Sequence, residues 1–160
     1  MVGLETALPS VERRRRAGGR IVFTNGCFDL LHVGHVAYLQ QARALGDVLV
    51  VGVNSDASVR RLKGPGRPVN PDGDRVRVLS GLRCVDHAVV FNEDTPDGLI
   101  AAIRPDIYVK GGDYEAENLP ERPLVESYGG RVVVLTYLAG RSTSEIIGRI
   151  REAPRRVRHV

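Results

Sequence analysis

RIVFTNGCFDLLHVGHVAYLQQARALGDVLVVGV, residues 20–53, holds the decision about the fold. Residues 20–24 are β-rich and run into Asn25-Gly26, a turn signal. Residues 33–45 place Val36, Leu39, Ala42 and Ala44 or Leu45 at near-helical spacing and close at Gly46, where a glycine ends a helix cheaply. Residues 48–53 are a continuous β-branched and apolar run, the pattern of a strand covered on both faces in a parallel sheet. Strand, loop, helix and buried strand make one β-α-β unit.

The alternation continues downstream. Residues 55–62 read as a short helix, and KGPGRPVNP, residues 63–71, as a breaker-rich loop and candidate lid. Helices follow at 74–82, at 95–103 with Thr95 as cap and Pro96 in the first turn, at 119–128 before Gly129-Gly130, and at 144–152. Strands are expected at 87–91, 106–109 and 131–135. Upstream, Leu8-Pro9-Ser10 starts a short helix that Gly18-Gly19 stops. Five strands separated by helices predict an α/β, Rossmann-like, doubly wound parallel sheet with right-handed crossovers. In such a sheet ligands bind past the carboxyl ends of the strands, where strand order reverses. A single domain is expected over residues 20–153, with a basic helix or tail at 1–19 and a basic tail at 154–160, and with no internal repeat or interdomain linker.

Composition narrows the function classes. A chain of 160 residues with 42% hydrophobic side chains can bury one core without disulfides or a structural metal. No apolar run approaches the roughly 20 residues that span a bilayer. Residues 1–10 lack a basic stretch followed by an apolar one, so the expectation is a cytoplasmic protein that does not use the membrane. Cys27 and Cys84 belong to no C-x-x-C pattern and read as small, mostly buried thiols. Much of the net charge of +4 sits in residues 13–16 and in Arg155, Arg156 and Arg158, and aromatic residues make up 5%. That pattern describes solvated basic termini with few platforms for stacking bases, so no nucleic-acid partner is expected. The only lysines, Lys63 and Lys110, each precede glycine in a predicted loop. Where arginine is the default cation, a retained lysine marks a place that needs a compact, flexible ammonium.

The loop after the first strand reads Thr24-Asn-Gly-Cys-Phe-Asp-Leu-Leu-His-Val-Gly-His35. His32 and His35 are three apart at a helix start, so they share a face with free N–H groups and the positive end of the helix dipole, an arrangement that favours anions. Gly26 would let the backbone approach a phosphate, and Gly34 would leave room for a nucleotide between the two imidazoles. By itself, H-x-x-H also describes a surface pair or core residues capped by hydrogen bonds. A metalloprotease zinc site spaces its histidines by four and sets a glutamate beside the first, which this sequence lacks, so no metal site is expected in the protein.

TNGCFDLLHVGH resembles the signature of the H-x-G-H nucleotidyltransferase superfamily. Residues 52–56 (GVNSD), 61–64 (RLKG), 67–71 (RPVNP), 109–114 (VKGGDY) and 141–147 (RSTSEII) resemble its heptose 1-phosphate adenylyltransferase branch, over about residues 20–151. In many relatives that domain follows a sugar kinase, and its occurrence here without one implies a stand-alone transferase. The resemblance implies that His32 and His35 hold the triphosphate and stabilise charge at the attacked α-phosphorus, and that Lys63 closes over the phosphates. It implies a nucleotide site made of Thr24, Asn25, Gly26, Cys27, Phe28, Gly34, Gly112 and Asp113. Arg141, Ser142, Thr143 and Ser144 would add a second anion site at the last helix, where an ordinary N-cap is the simpler role.

For the acceptor, the candidates are Asp29, which binds sugar hydroxyls or orients the first loop, and Asn54, which shares with Asp56 the choice between hydroxyl contact and helix capping. Arg75 and Lys110 are candidates for the acceptor's phosphate or hydroxyls, with an exposed salt bridge as the alternative. The implied reaction joins ATP to D-glycero-D-manno-heptose 1-phosphate and yields ADP-heptose and pyrophosphate, with Mg2+ carried mainly on nucleotide phosphates and a homodimer as a reasonable assembly. A cytidylyltransferase for another sugar or polyol phosphate is the alternative within enzymes. A nucleotide-binding regulator is the alternative outside them.

Overall fold

In a computed structural model, the described residues are 3–112, 115–136, 140 and 142–153. They form α1 (Leu4–Arg16), β1 (Ile21–Gly26), α2 (Val33–Arg43), β2 (Val48–Asn54), α3 (Asp56–Lys63), α4 (Asp72–Ser80), β3 (His87–Phe91), α5 (Asp97–Ile103), β4 (Ile107–Gly111), α6 (Arg122–Glu126), β5 (Arg131–Leu135) and α7 (Thr143–Glu152). All strand pairs are parallel, in the order β3-β2-β1-β4-β5. The order reverses between β1 and β4, so the crevice for a ligand opens above their carboxyl ends.

The period-2 alternation of the strands divides the core into two layers. Val22, Leu49, Val51, Ile107 and Val109 face Leu39 and Ala42 of α2 and Val76 and Leu79 of α4. Ile21, Phe23, Val50, Val89 and Tyr108 face Ala7 and Val11 of α1, Leu99, Ile100 and Ile103 of α5, and Val125 of α6. Every residue of β2 is buried, as its uninterrupted apolar run requires. Burying a side chain such as Leu49 or Ile100 contributes about 1.5–3 kcal/mol, which makes the sheet the rigid platform of the molecule.

Residues 1–19, set apart by sequence as a basic helix or tail, contribute a helix that belongs to this core: Ala7 and Val11 of α1 are fully buried. The helix begins at Leu4 rather than Ser10 and carries Pro9 inside it. Glu5, whose carbonyl loses its partner to Pro9, faces solvent, which is why the proline is tolerated. In α5 the cap position is Pro96, and the Thr95 hydroxyl binds the Asp97 carboxylate at 2.9 Å rather than the backbone. The segment expected as one helix at 119–128 is a short 3-10 turn at Ala116–Asn118 followed by the five residues of α6. The basic tail at 154–160 lies outside the described residues. Among the described residues no helix is long and apolar enough to cross a membrane.

The amino edge of the sheet is closed by aspartates. Asp47, Asp86 and Asp106 accept the N–H groups of Arg20, Leu49 and Ile21 at 2.8, 2.8 and 2.7 Å. Each aspartate stands just before a strand and ties it to its neighbour, which leaves the carboxyl edge as the end with open chemistry.

Candidate active site

The loop from β1 to α2 turns at Phe28, a non-glycine residue with φ of 45°, and its buried ring packs beside His35, with centroids 5.3 Å apart, which offsets the cost of that conformation. A Cβ at Gly26 would stand 3.0 Å from the Phe28 ring, a tight contact that the ring would have to shift to relieve. His32 is the N-cap residue of α2 and His35 lies in its first turn. Their rings stack, with centroids 3.8 Å apart and planes 25° apart. No nucleotide fits between rings that touch, so the room expected from the buried Gly34 is filled by the imidazoles themselves.

Neither imidazole has a partner for its buried Nδ1 atom. Burial, and then the charge of His32 beside it, pushes His35 down to about 4, with a contact to the Leu30 backbone acting the other way. Burial also lowers His32, while the carboxylate of Glu145 raises it. Both shifts favour the neutral rings near pH 7. They line a cleft of about 600 Å3 together with Cys27, Lys63, Arg67 and the first turn of α7. That volume lies within the range of small-molecule sites.

The opposite wall is the start of α7. The Ser142 hydroxyl caps it by accepting from the Glu145 N–H at 3.2 Å, and Thr143 Oγ1 donates to the Leu30 carbonyl at 3.3 Å, tying this helix to the histidine loop. Ser144 lines the cleft. Two helix N-termini, those of α2 and α7, thus face one space with their positive dipole ends. Arg141 and Asp113 lie outside the described residues, and Gly112, with φ of 131°, hydrogen-bonds β5 through the Leu135 carbonyl at 3.1 Å. Lys63 is not on the loop: it ends α3, where Gly64 follows with φ of 94°. Its ammonium reaches the cleft from a helix end that favours a cation. Burial raises the Cys27 thiol, against the lowering field of Lys63, Arg75 and Arg67.

Several predicted ligand contacts are scaffold. Thr24 is fully buried under α2, its hydroxyl 2.6 Å from that of Tyr38, which in turn donates to the Val109 carbonyl. Arg75 is neither an exposed salt bridge nor a free phosphate ligand. It is buried, and it donates to the carbonyls of Cys27 at 2.6 Å, Asn54 at 2.8 Å and Asn70 at 3.0 Å and to the Asp56 carboxylate at 2.8 Å. It thereby clamps the ends of β1 and β2. Removing one partner from such a buried pair costs about 3–5 kcal/mol. Asn54 is buried and donates to Ser58 Oγ at 3.0 Å, while Ser55 provides the α3 cap. Asp29 lines the histidine cleft, where it is paired with Arg67 and accepts the N–H groups of Val69 and Asn70 at 2.8 and 3.0 Å, which orients the 64–71 loop.

Lys110, at the carboxyl end of β4, pairs with Glu121 at 3.2 Å and touches the Tyr108 hydroxyl at 3.2 Å. That hydroxyl donates to Asn25 Oδ1 at 2.8 Å, and burial followed by the Glu121 charge holds its pKa far above the ordinary value. Sequence reading missed Arg67, Tyr108, Glu121 and Glu145. Arg67 stood in the quoted loop motif and Tyr108 shares a strand face with Lys110 by period 2, whereas Glu121 carries no local signal. Among the described residues no group of three His, Cys, Asp or Glu side chains could hold a metal ion.

The cytidylyltransferase-like family profile matches residues 23–149. The chain is 61% identical over 140 residues to bifunctional protein HldE of Syntrophotalea carbinolica, covering 88% of this chain and 29% of that protein. It is 58% identical over 143 residues to bifunctional protein HldE of Streptomyces coelicolor, covering 89% and 31%. The chain therefore spans less than a third of the length of these relatives. Among solved structures, the lipopolysaccharide core biosynthesis protein of Thermoplasma volcanium superposes with a TM-score of 0.63 at 30% identity, covering 76% of this chain and 98% of that one. The matched region contains the whole of the histidine cleft, and the chain belongs to the cytidylyltransferase-like family of nucleotidyltransferases.

Proposed function

We propose that the chain transfers AMP from ATP to D-glycero-D-manno-heptose 1-phosphate, giving ADP-heptose and pyrophosphate. The observation that carries this reading is the stacked imidazole pair, its pKa values lowered by burial, facing the α7 N-terminus across a cleft that also holds Lys63 and Arg67. A phosphate oxygen of the acceptor attacks the α-phosphorus, the new P–O bond forms, and the bond to the β-phosphate bridging oxygen breaks with pyrophosphate as leaving group. The acceptor phosphate is already ionised near neutral pH, so the site needs no strong base and no covalent enzyme intermediate. His32 and His35 donate to the phosphate oxygens as negative charge builds. Lys63 and the α7 N–H groups neutralise the leaving β- and γ-phosphates. The saturated Asp29–Arg67 pair holds the 64–71 loop at the mouth of the cleft.

Magnesium fits this site as an ion carried by phosphate oxygens and water, with two carboxylates lining the cleft, Glu145 and the Asp29 that Arg67 pairs; when bound it supplies charge neutralisation to the triphosphate. The name of the structural relative, a lipopolysaccharide core biosynthesis protein, is in keeping with a sugar-derived acceptor, and we place the reaction in the cytoplasm. The test is a panel. Each of the four nucleoside triphosphates is supplied with both anomers of heptose 1-phosphate, and CTP with glycerol phosphate, while pyrophosphate is followed. ATP with one heptose 1-phosphate anomer should give the highest kcat/KM. Release with CTP and glycerol phosphate but none with ATP and heptose 1-phosphate would overturn the substrate assignment. Tight ATP binding without pyrophosphate from any pair would make the chain a nucleotide-binding regulator.

A further inference from the structure

We propose that Lys110 and Glu121 form a subsite that reads neighbouring hydroxyl groups of a substrate, with Glu121 as a specificity-determining residue. The inference rests on the transferase reading and adds to it a place where hydroxyls, rather than phosphates, are recognised.

The register that pairs Thr24 with Val109 sets Lys110 level with Asn25, one step further toward the carboxyl edge. Tyr108 and Lys110 are two apart on one strand and so share the face that carries α5 and α6. His32 and His35 belong to α2 on the other face, so the two groups flank the β1/β4 crevice from opposite sides. Lys110 Nζ gives two of its three hydrogens to the Tyr108 hydroxyl and to Glu121 Oε1, each at 3.2 Å, which leaves one. The single Tyr108 proton has two acceptors within reach, Asn25 Oδ1 at 2.8 Å and Glu121 Oε1 at 3.2 Å. Glu121 Oε2 has no partner, although the side chain is only 6% exposed.

A buried carboxylate oxygen without a donor calls for one from a ligand or water. A hydroxyl both donates and accepts, so neighbouring hydroxyls can satisfy Glu121 Oε2 and take the remaining Lys110 proton together. A phosphate offers only acceptors and would meet the Glu121 charge, while the charge of Lys110 is already neutralised by its partner. Lys110, partly exposed at 23%, is the open side of the pair. Two substrates bring such hydroxyls to this crevice: the ribose of the nucleotide and the sugar of the acceptor.

Glu121→Gln preserves shape and removes the charge and one acceptor. Wild type and variant are compared for kcat and KM by pyrophosphate release with ATP, 2′-deoxy-ATP and 3′-deoxy-ATP, and separately with heptose 1-phosphate, mannose 1-phosphate and 2-deoxyglucose 1-phosphate. The wild type should prefer the fully hydroxylated substrate, and the variant should lose about tenfold to a hundredfold of that preference, through KM and on one substrate only. Loss on the nucleotide arm places the ribose at the pair, and loss on the sugar arm places the acceptor there. Preference ratios that stay unchanged, or a decline that is equal for all analogues, overturn the proposal. Lys110→Met, checked by its melting curve, repeats the test if the first variant folds poorly. If the wild type releases no pyrophosphate with any pair, the transferase reading fails, and calorimetric affinity ratios for the same compounds decide the subsite on their own: equal ratios in wild type and variant overturn it.

Discussion

The two edges of the sheet are built to opposite rules. At the amino edge, Asp47, Asp86 and Asp106 each accept a backbone N–H from a neighbouring strand start, so charge is used for closure. At the carboxyl edge, acceptors and donors are left over. Four buried side-chain atoms lack hydrogen-bond partners among the described residues, and three of them, His32 Nδ1, His35 Nδ1 and Glu121 Oε2, stand beside the β1/β4 crevice. Folding alone does not favour such orphans, since each forfeits interactions with water. Their concentration at one edge marks where the fold gives up stability for binding. The carboxyl edge also has its own scaffold, Arg75 with Asp56 and Asp29 with Arg67, whose hydrogen bonds are made internally. Satisfaction of hydrogen bonds therefore separates frame from working groups better than position does.

Two substitutions, one at each edge, should separate turnover from stability. His35→Ala should lower turnover by about 10²- to 10³-fold, the scale of one lost transition-state donor, while the melting temperature stays close to that of wild type. A variant with full turnover, or one that unfolds, would remove the distinction between working and structural groups. Asp106→Ala at the opposite edge should do the reverse. Leaving the Ile21 N–H without its acceptor should cost about 1–3 kcal/mol in denaturant unfolding, with kcat unchanged in the folded protein. A kinetic defect without loss of stability would show that the amino edge takes part in the chemistry.

The sequence made the frame legible where the signal is local. The apolar run of β2 and the bounds of β3 and β5 follow from residues adjacent in the chain, whereas α2 ends at Arg43, short of the glycine at 46. The H-x-G-H spacing likewise located the histidine pair, because three residues on a helix fix a shared face. What failed was long-range. Arg75 looked like an available cation, but its partners lie up to 48 residues away at Cys27, a separation no local pattern encodes. Thr24 sits in the signature loop, yet strand alternation turns it beneath α2 toward Tyr38. Glu121 became visible only when folding set its carboxylate against Lys110 and Tyr108.

If a neutral imidazole pair receives the phosphate chain, the proton on His35 reports it. In the free protein His35 is held down at about 4 by burial and by its neighbour. The unfolded chain takes up protons near pH 6.5 that the folded one refuses. The stability contributed by the neutral ring is therefore complete above that pH and falls as pH drops toward 4. An arriving triphosphate reverses the balance, because negative charge against the ring favours its protonated form. Ring NMR titration of His35 should place its midpoint near 4 in the free protein and move it upward on saturation with magnesium and an ATP analogue carrying a non-hydrolysable α–β bridge. A midpoint unmoved by the bound nucleotide would contradict the account.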